Sequence, residues 1–174
     1  MWEGDLLIYL QTHRCRACDD WFLTATHYVS VLTGLVLLFL MYETWIRRRW
    51  PRKYFWYVAV SLVITAIMVH ALKWGIGRPR PYRVISGLHK MTDGGQSSFP
   101  SGHTAEVFTL LFALMRLRLF KWLTLFLAVG ALFIAYTRMV FGVHYLTDIL
   151  GGIGVAWLSA VTAPFLIKFF YDEK

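Results

Sequence analysis

Three stretches of this chain carry residues whose types and spacing can do chemistry. Lys73 and Arg80 flank a Gly- and Pro-rich break, Ser101, Gly102 and His103 follow Pro100, and Arg138 precedes His144 and Asp148. A guanidinium grips phosphate oxygens through two parallel hydrogen bonds, and an ammonium adds a point charge. With Ser101 as the cap of a helix, the unpaired N–H groups of Gly102, His103 and Thr104 favour an anion at the same spot, as does the helix dipole. His144 and Asp148 are four residues apart, which on a helix puts them on one face. A carboxylate bonded to one imidazole nitrogen fixes the tautomer and leaves the other nitrogen nucleophilic. His103 is then available to protonate a leaving oxygen. Together these residues describe an oxyanion site, most naturally for phosphate. They offer little to a metal, because Asp93 is the only other carboxylate in the loop between the first two stretches and hard cations take several oxygen ligands.

The elements between these stretches must bring them together, and they read as membrane helices. The chain has 174 residues, 57% of them apolar, 17% aromatic and 16% charged. Its mean hydropathy is +0.51. The length suits a single domain spanning 1–174. The formal charge of +8 could suggest nucleic acid, but the cations sit between long apolar runs, so no nucleic acid is expected. Ala25–Ile46 and Tyr54–Leu72 are each long enough to cross a hydrocarbon core of about 30 Å. Between them stand Arg47, Arg48, Arg49, Pro51, Arg52 and Lys53, a basic turn closing a helical hairpin.

Residues 74–99 hold five Gly and two Pro among scattered cations, a long polar loop of the kind that usually carries function. The spacing predicts further helices over Ser101–Leu119, Trp122–Thr137 and His144–Phe170, with Arg138–Val143 as a link and a bend at Pro164. Trp2–Gln11 and Asp19–Thr24 are too short to span and suit an amphipathic helix on the membrane surface. The expected fold is therefore an all-α polytopic transmembrane bundle of about five spanning helices plus that surface helix, with six spanning helices as the alternative.

Cations orient the bundle. Ten of the eighteen Lys and Arg lie in the turns at 47–53 and 116–121 and in the tail at Lys168 and Lys174. Eight lie on the side of the long loop, and three of those, Lys73, Arg80 and Arg138, belong to the anion site. Ten against five puts the turns in the cytoplasm and the loop outside. No cleavable signal is read at the start, since Glu3 and Asp5 interrupt a short apolar stretch.

Lys73-x6-Arg80-Pro81, Pro100-Ser101-Gly102-His103 and Arg138-x5-His144-x3-Asp148 resemble, in order, the three motifs of the type 2 phosphatidic acid phosphatase family. Thr137 stands where that family has Ser and keeps a hydroxyl. The resemblance implies an integral-membrane enzyme that removes a phosphate from a lipid without metal or other cofactor, through a phosphohistidine. It implies His144 as nucleophile, Asp148 as its orienting partner and His103 as general acid. Lys73, Arg80, Ser101, Gly102 and Arg138 would hold the phosphoryl oxygens. A protein that binds or transports a lipid phosphate without turnover is the alternative, and the His144–Asp148 pair argues against it. The expected partner is a membrane lipid with a phosphorylated head group, at the outer face of a bacterial inner membrane. Lipid A 1-phosphate, phosphatidylglycerol phosphate and undecaprenyl pyrophosphate all suit such a site.

Other polar residues have plainer readings. Arg78, Arg83 and Lys90 exceed what the motifs need and are contacts for a second anionic group, or else solvated loop charge. His27 and His70 stand alone in apolar helices and read as packed or hydrogen-bonded. Glu106 reads as a bond to a neighbouring helix, with tuning of His103 as the alternative. Cys15 and Cys18, the only thiols, read as two small residues in an N-terminal segment, with a local disulfide as the alternative.

Overall fold

A computed structural model describes residues 2–118 and 121–171. Leu119, where the third predicted helix ends, and Lys174, counted with the tail, lie outside the described residues. The helices are α1 (Trp2–Thr12), α2 (Asp19–His27), α3 (Val29–Met41), α4 (Arg52–Ile76), the single turn α5 (Pro81–Val84), α6 (Gly102–Leu117), α7 (Lys121–Val140) and α8 (Leu146–Tyr171). Among the described residues there is no strand. α3 runs on through a π-helical turn, Tyr42–Ile46, to the basic turn.

Among the described residues, four helical segments are long and apolar enough to cross a membrane by length and composition: Val29–Ile46, Arg52–Val84, Lys121–Val140 and Leu146–Lys168. Their outward faces are apolar, with Ile67, Trp74, Phe126, Leu132 and Phe165 all exposed. In water such a surface would be a large apolar patch; in a bilayer it is the lipid-facing side. The protein is therefore an integral membrane protein. α6, with 16 residues, is shorter than these and sits at their centre. It packs against α3, α4, α7 and α8, and Val107, Phe108, Leu110, Leu111 and Leu114 bury themselves in the main core. Surrounded by protein, α6 has little lipid face to match to bilayer thickness.

The N-terminal segment forms the expected short helices and is also anchored to the bundle. α1 docks on protein, with Leu7 fully buried against Leu88 and Tyr145. Gln11 fastens it, its Nε2 donating to the carbonyls of His89 (2.8 Å) and Val140 (3.0 Å) while its Oε1 accepts from the His89 N–H (2.8 Å). α2 lies along α7, its Phe22 meeting Phe133 edge-on and Thr26 bonding Thr137 at 3.1 Å. Cys15 and Cys18 form a disulfide across the turn joining α1 to α2, so the alternative reading of that pair is the correct one.

Two boundaries near the site also move. Arg138 lies within the last turn of α7 rather than in the link after it. His144 lies in the link, before α8 rather than on it. Gly142, at φ +69°, turns the chain there, and a Cβ would stand 2.8 Å from the His89 carbonyl oxygen. α8 continues through Pro164 to Tyr171.

Candidate active site

Two short backbone contacts assemble the three motifs at one end of the bundle. The Ser101 N–H donates to the Asp148 carbonyl at 3.0 Å, tying the start of α6 to the start of α8. The approach is close enough that a Cβ on Gly152 would stand 2.8 Å from the Ser101 oxygen. The Ser98 N–H donates to the Arg78 carbonyl at 2.8 Å, drawing the end of the long loop against its beginning. Ser101 occupies the N-cap position of α6 with extended backbone, but its hydroxyl meets Thr104 Oγ1 (2.8 Å) instead of a helix N–H. The first N–H groups of the helix are thus left to another acceptor.

His144 is 2% exposed and Asp148 fully buried. Asp148 is the third residue of α8, and its Oδ2 accepts the Tyr145 N–H at 2.8 Å, half of a capping box. That bond fixes the carboxylate beside the imidazole: His144 Nδ1 lies 3.5 Å from Asp148 Oδ2. The contact is long, and Nδ1 makes no hydrogen bond of full geometry among the described residues. Nε2, the other ring nitrogen, points to Arg80 Nη1 at 3.4 Å. The pair thus has the predicted order, carboxylate behind and open nitrogen toward the cations, without sharing a helix.

Burial is the main force that holds the His144 pKa down, to about 3, from an ordinary value of 6.5. Asp148 opposes the shift, while Arg80 and Arg138 add to it. A base whose pKa falls stays neutral to lower pH, so the imidazole keeps its lone pair in mildly acid solution. Histidine-labelled protein in micelles should therefore show a His144 resonance, assigned by its loss in His144→Gln, that does not titrate between about pH 7.5 and 5. A titration midpoint near the ordinary histidine value would contradict this environment.

Two of the three cations are buried, Arg80 at 4% and Arg138 at 2% exposed, and Lys73 is half-buried. One stretch of the long loop holds all three through backbone carbonyls. Gly95 accepts from Arg80 Nε (2.7 Å), Ser97 from Lys73 Nζ (3.1 Å) and Asp93 from Arg138 Nη2 (3.4 Å). Arg80 Nη1 also reaches the Val143 carbonyl at 3.0 Å. Arg138 Nε is buried and has no partner among the described residues. His103, in the first turn of α6, shares a groove with Lys73 and lies within electrostatic reach of Arg138, Lys73 and Arg80.

Arg78, expected as a contact for a second anionic group, is already engaged. Its Nη1 donates to Asp148 Oδ1 (2.7 Å) and Thr147 Oγ1 (2.6 Å), and its Nη2 to Glu3 Oε2 (3.1 Å). The guanidinium also stacks 3.9 Å from the centre of the Tyr145 ring. Arg83 and Lys90 are exposed on the loop around Tyr82, and Lys90 pairs with Asp93 at 3.4 Å. Glu3 is the residue that sequence reasoning missed. Its other oxygen accepts from the Thr147 N–H (3.0 Å) and hydroxyl (2.9 Å), so α1 braces the start of α8.

The comparisons with known proteins follow this geometry. The model of the PAP2 superfamily matches residues 54–170, more than half of the chain. This chain belongs to the PAP2 superfamily. A lipid A 1-phosphatase of Rhizobium johnstonii is 32% identical over 113 residues, covering 62% of this chain and 46% of that protein. A lipid A 4'-phosphatase of Bacteroides thetaiotaomicron is 30% identical over 151 residues, covering 76% of this chain and 67% of that protein. The chain thus spans about half the length of the Rhizobium relative. The crystal structure of Aquifex aeolicus LpxE shares the fold, with a TM-score of 0.79, 21% identity and coverage of 91% of this chain and 92% of that one. The PAP2 match contains all three motifs and leaves out α1, α2 and α3. Glu3 and the disulfide therefore lie outside it.

Proposed function

We propose that this PAP2 protein is a lipid phosphatase that works without a metal, through a phosphohistidine, at the outer face of the bacterial inner membrane. The observation that carries the reading is an imbalance of buried charge. Lys73, Arg80 and Arg138 lie within electrostatic reach of His103, and Arg80 and Arg138 within reach of His144, while the buried carboxylate beside them, Asp148, is already paired with Arg78. Their polar partners are chiefly neutral carbonyls, and the Arg138 Nε has none among the described residues. A buried cation needs an anionic partner to be tolerated, and a phosphate would supply one.

In the proposed reaction His144 Nε2 attacks phosphorus while Asp148 stabilises the charge developing on the ring. The P–O bond to the lipid breaks, and His103 gives its proton to the departing oxygen. Water, deprotonated by His103, then attacks the phosphoimidazole and releases inorganic phosphate. Lys73, Arg80, Arg138, Ser101 and the Gly102 N–H would hold the phosphoryl oxygens, whose charge rises in the transition state. Among the described residues no group of three or more His, Cys, Asp or Glu is placed to hold a metal ion.

The test is phosphate release in detergent from lipid A 1-phosphate, phosphatidylglycerol phosphate and undecaprenyl pyrophosphate, with and without chelator. Release from at least one, undiminished by chelator, is expected; no release from any of them, or a requirement for added metal, would overturn the reading. Two features support the outward orientation: the cation count, and a Cys15–Cys18 disulfide of a kind that persists in oxidising compartments. A membrane-impermeant thiol reagent should label Ser86→Cys in intact cells and leave Arg49→Cys unlabelled. The reverse pattern would invert the orientation.

A further inference from the structure

A groove of about 470 Å³ runs from the anion site along the bundle between α3, α4 and α6. Its walls are tiered. Lys73, Gly102 and His103 form the tier that belongs to the anion site. His70 lies three residues before Lys73 on α4, and Glu106 three residues after His103 on α6. α4 rises toward the site and α6 descends from it, so both residues stand about 4.5 Å deeper, one tier down. Deeper still the lining turns mostly apolar, with Val69, Ala66, Leu62 and Leu37. The Thr33 and Thr65 hydroxyls in that part are bonded to the Val29 carbonyl and to Thr109. His70 is exposed and Glu106 half-buried, and Glu106 Oε2 accepts one hydrogen bond, from Ser30 at 2.9 Å.

We infer that His70 and Glu106 form a polar tier that hydrogen-bonds the unit carrying the phosphate, and that this unit is a sugar. The inference rests on the phosphatase reading and narrows its substrate class. With the phosphate held by the upper tier, the first few carbons beyond the ester oxygen fall at the level of Glu106. A sugar presents hydroxyl or amide N–H donors there, which the carboxyl accepts, and hydroxyl oxygens that the imidazole can reach. Undecaprenyl pyrophosphate places its second phosphate at that depth instead, an anion beside a carboxyl that it would shut away from water, which is costly. The apolar floor of the groove is left to the hydrocarbon in either case, so selection falls on the polar tier.

The test compares lipid A 1-phosphate with a polyprenyl phosphate, undecaprenyl pyrophosphate, in the same micelles, by kcat/KM. Wild type should prefer the sugar lipid. Glu106→Gln and His70→Ala should each lower kcat/KM on the sugar lipid by roughly 10- to 100-fold, the worth of one strong hydrogen bond, and on the polyprenyl phosphate by less than about 3-fold. Ser30→Ala separates recognition from mere helix tethering. It cuts the tie between α3 and α6 but leaves the carboxyl in the groove, so the substrate ratio should stay near that of wild type. Equal losses on both lipids in Glu106→Gln, a ratio altered as much by Ser30→Ala, or a wild-type preference for the polyprenyl phosphate would overturn the inference alone. Activity on neither lipid, nor on any other lipid phosphate, would overturn the phosphatase reading together with it.

Discussion

His144→Ala is expected to lower turnover at least about a hundredfold on every lipid phosphate while leaving the bundle folded. The loss should be this large because the nucleophile serves every substrate, and the group in contact with its Nε2 cannot take its place. Arg80 Nη1 is the contact of Nε2, and it is a cation. The fold should survive because Asp148 does not depend on the imidazole. Its carboxylate keeps the Arg78 bond at 2.7 Å and the Tyr145 N–H at 2.8 Å. His144 also belongs to a short link rather than to a packed helix face. The check has two parts: turnover measured on folded protein, and an acid-labile phosphoryl group trapped on wild type during turnover and missing from the variant. More than about a hundredth of wild-type activity, or phosphoryl label persisting in His144→Ala, would remove His144 from the role of nucleophile.

The parts of this site that the sequence reveals are those encoded locally. Lys73, Arg80, Ser101, His103, Arg138, His144 and Asp148 do come together at one end of the bundle, because apolar runs of the right length force their termini to one face. What stays hidden depends on contacts between distant segments. The helix spacing of His144 and Asp148 suggested a shared face, but Gly142 turns the chain and Asp148 caps α8 from its third position, so the pair meets across a helix start. Arg78 looked like spare loop charge because its partners, Glu3 and Asp148, lie far away on either side in sequence. The anchoring of α1 is hidden as well, because its composition says nothing of Gln11 fitting the carbonyls of His89 and Val140. The carbonyls of Asp93, Gly95 and Ser97 that hold the cations are backbone groups, which no side-chain pattern announces.

His103→Ala should damage turnover of an alkyl lipid phosphate far more than that of a nitrophenyl phosphate. The two substrates differ in how much help the departing oxygen needs. An alkoxide is a poor leaving group and must be protonated as the P–O bond breaks, and general-acid assistance of that kind is typically worth about 10²–10⁴-fold. A nitrophenolate leaves without it. The position of His103 makes this assignment specific. It sits in the first turn of α6, beside the N–H groups that would bind phosphoryl oxygens, and it shares with Lys73 the groove that would hold the lipid. Its ring is thus on the side where the lipid departs, whereas His144 Nε2 faces Arg80. The same substrate pair distinguishes the two histidines, since His144→Ala should damage both reactions alike. Dephosphorylation complicates a steady-state comparison, because His103 is also assigned to activate the water that attacks the phosphoimidazole. The formation step should therefore be followed in a single turnover, as release of the alcohol or of nitrophenolate. In that experiment a loss of about a hundredfold or more for the alkyl substrate, against a few-fold for the nitrophenyl one, is the expected result. Equal losses would mean that His103 holds the phosphate through charge and hydrogen bonding, and the acid would have to be sought elsewhere in the groove.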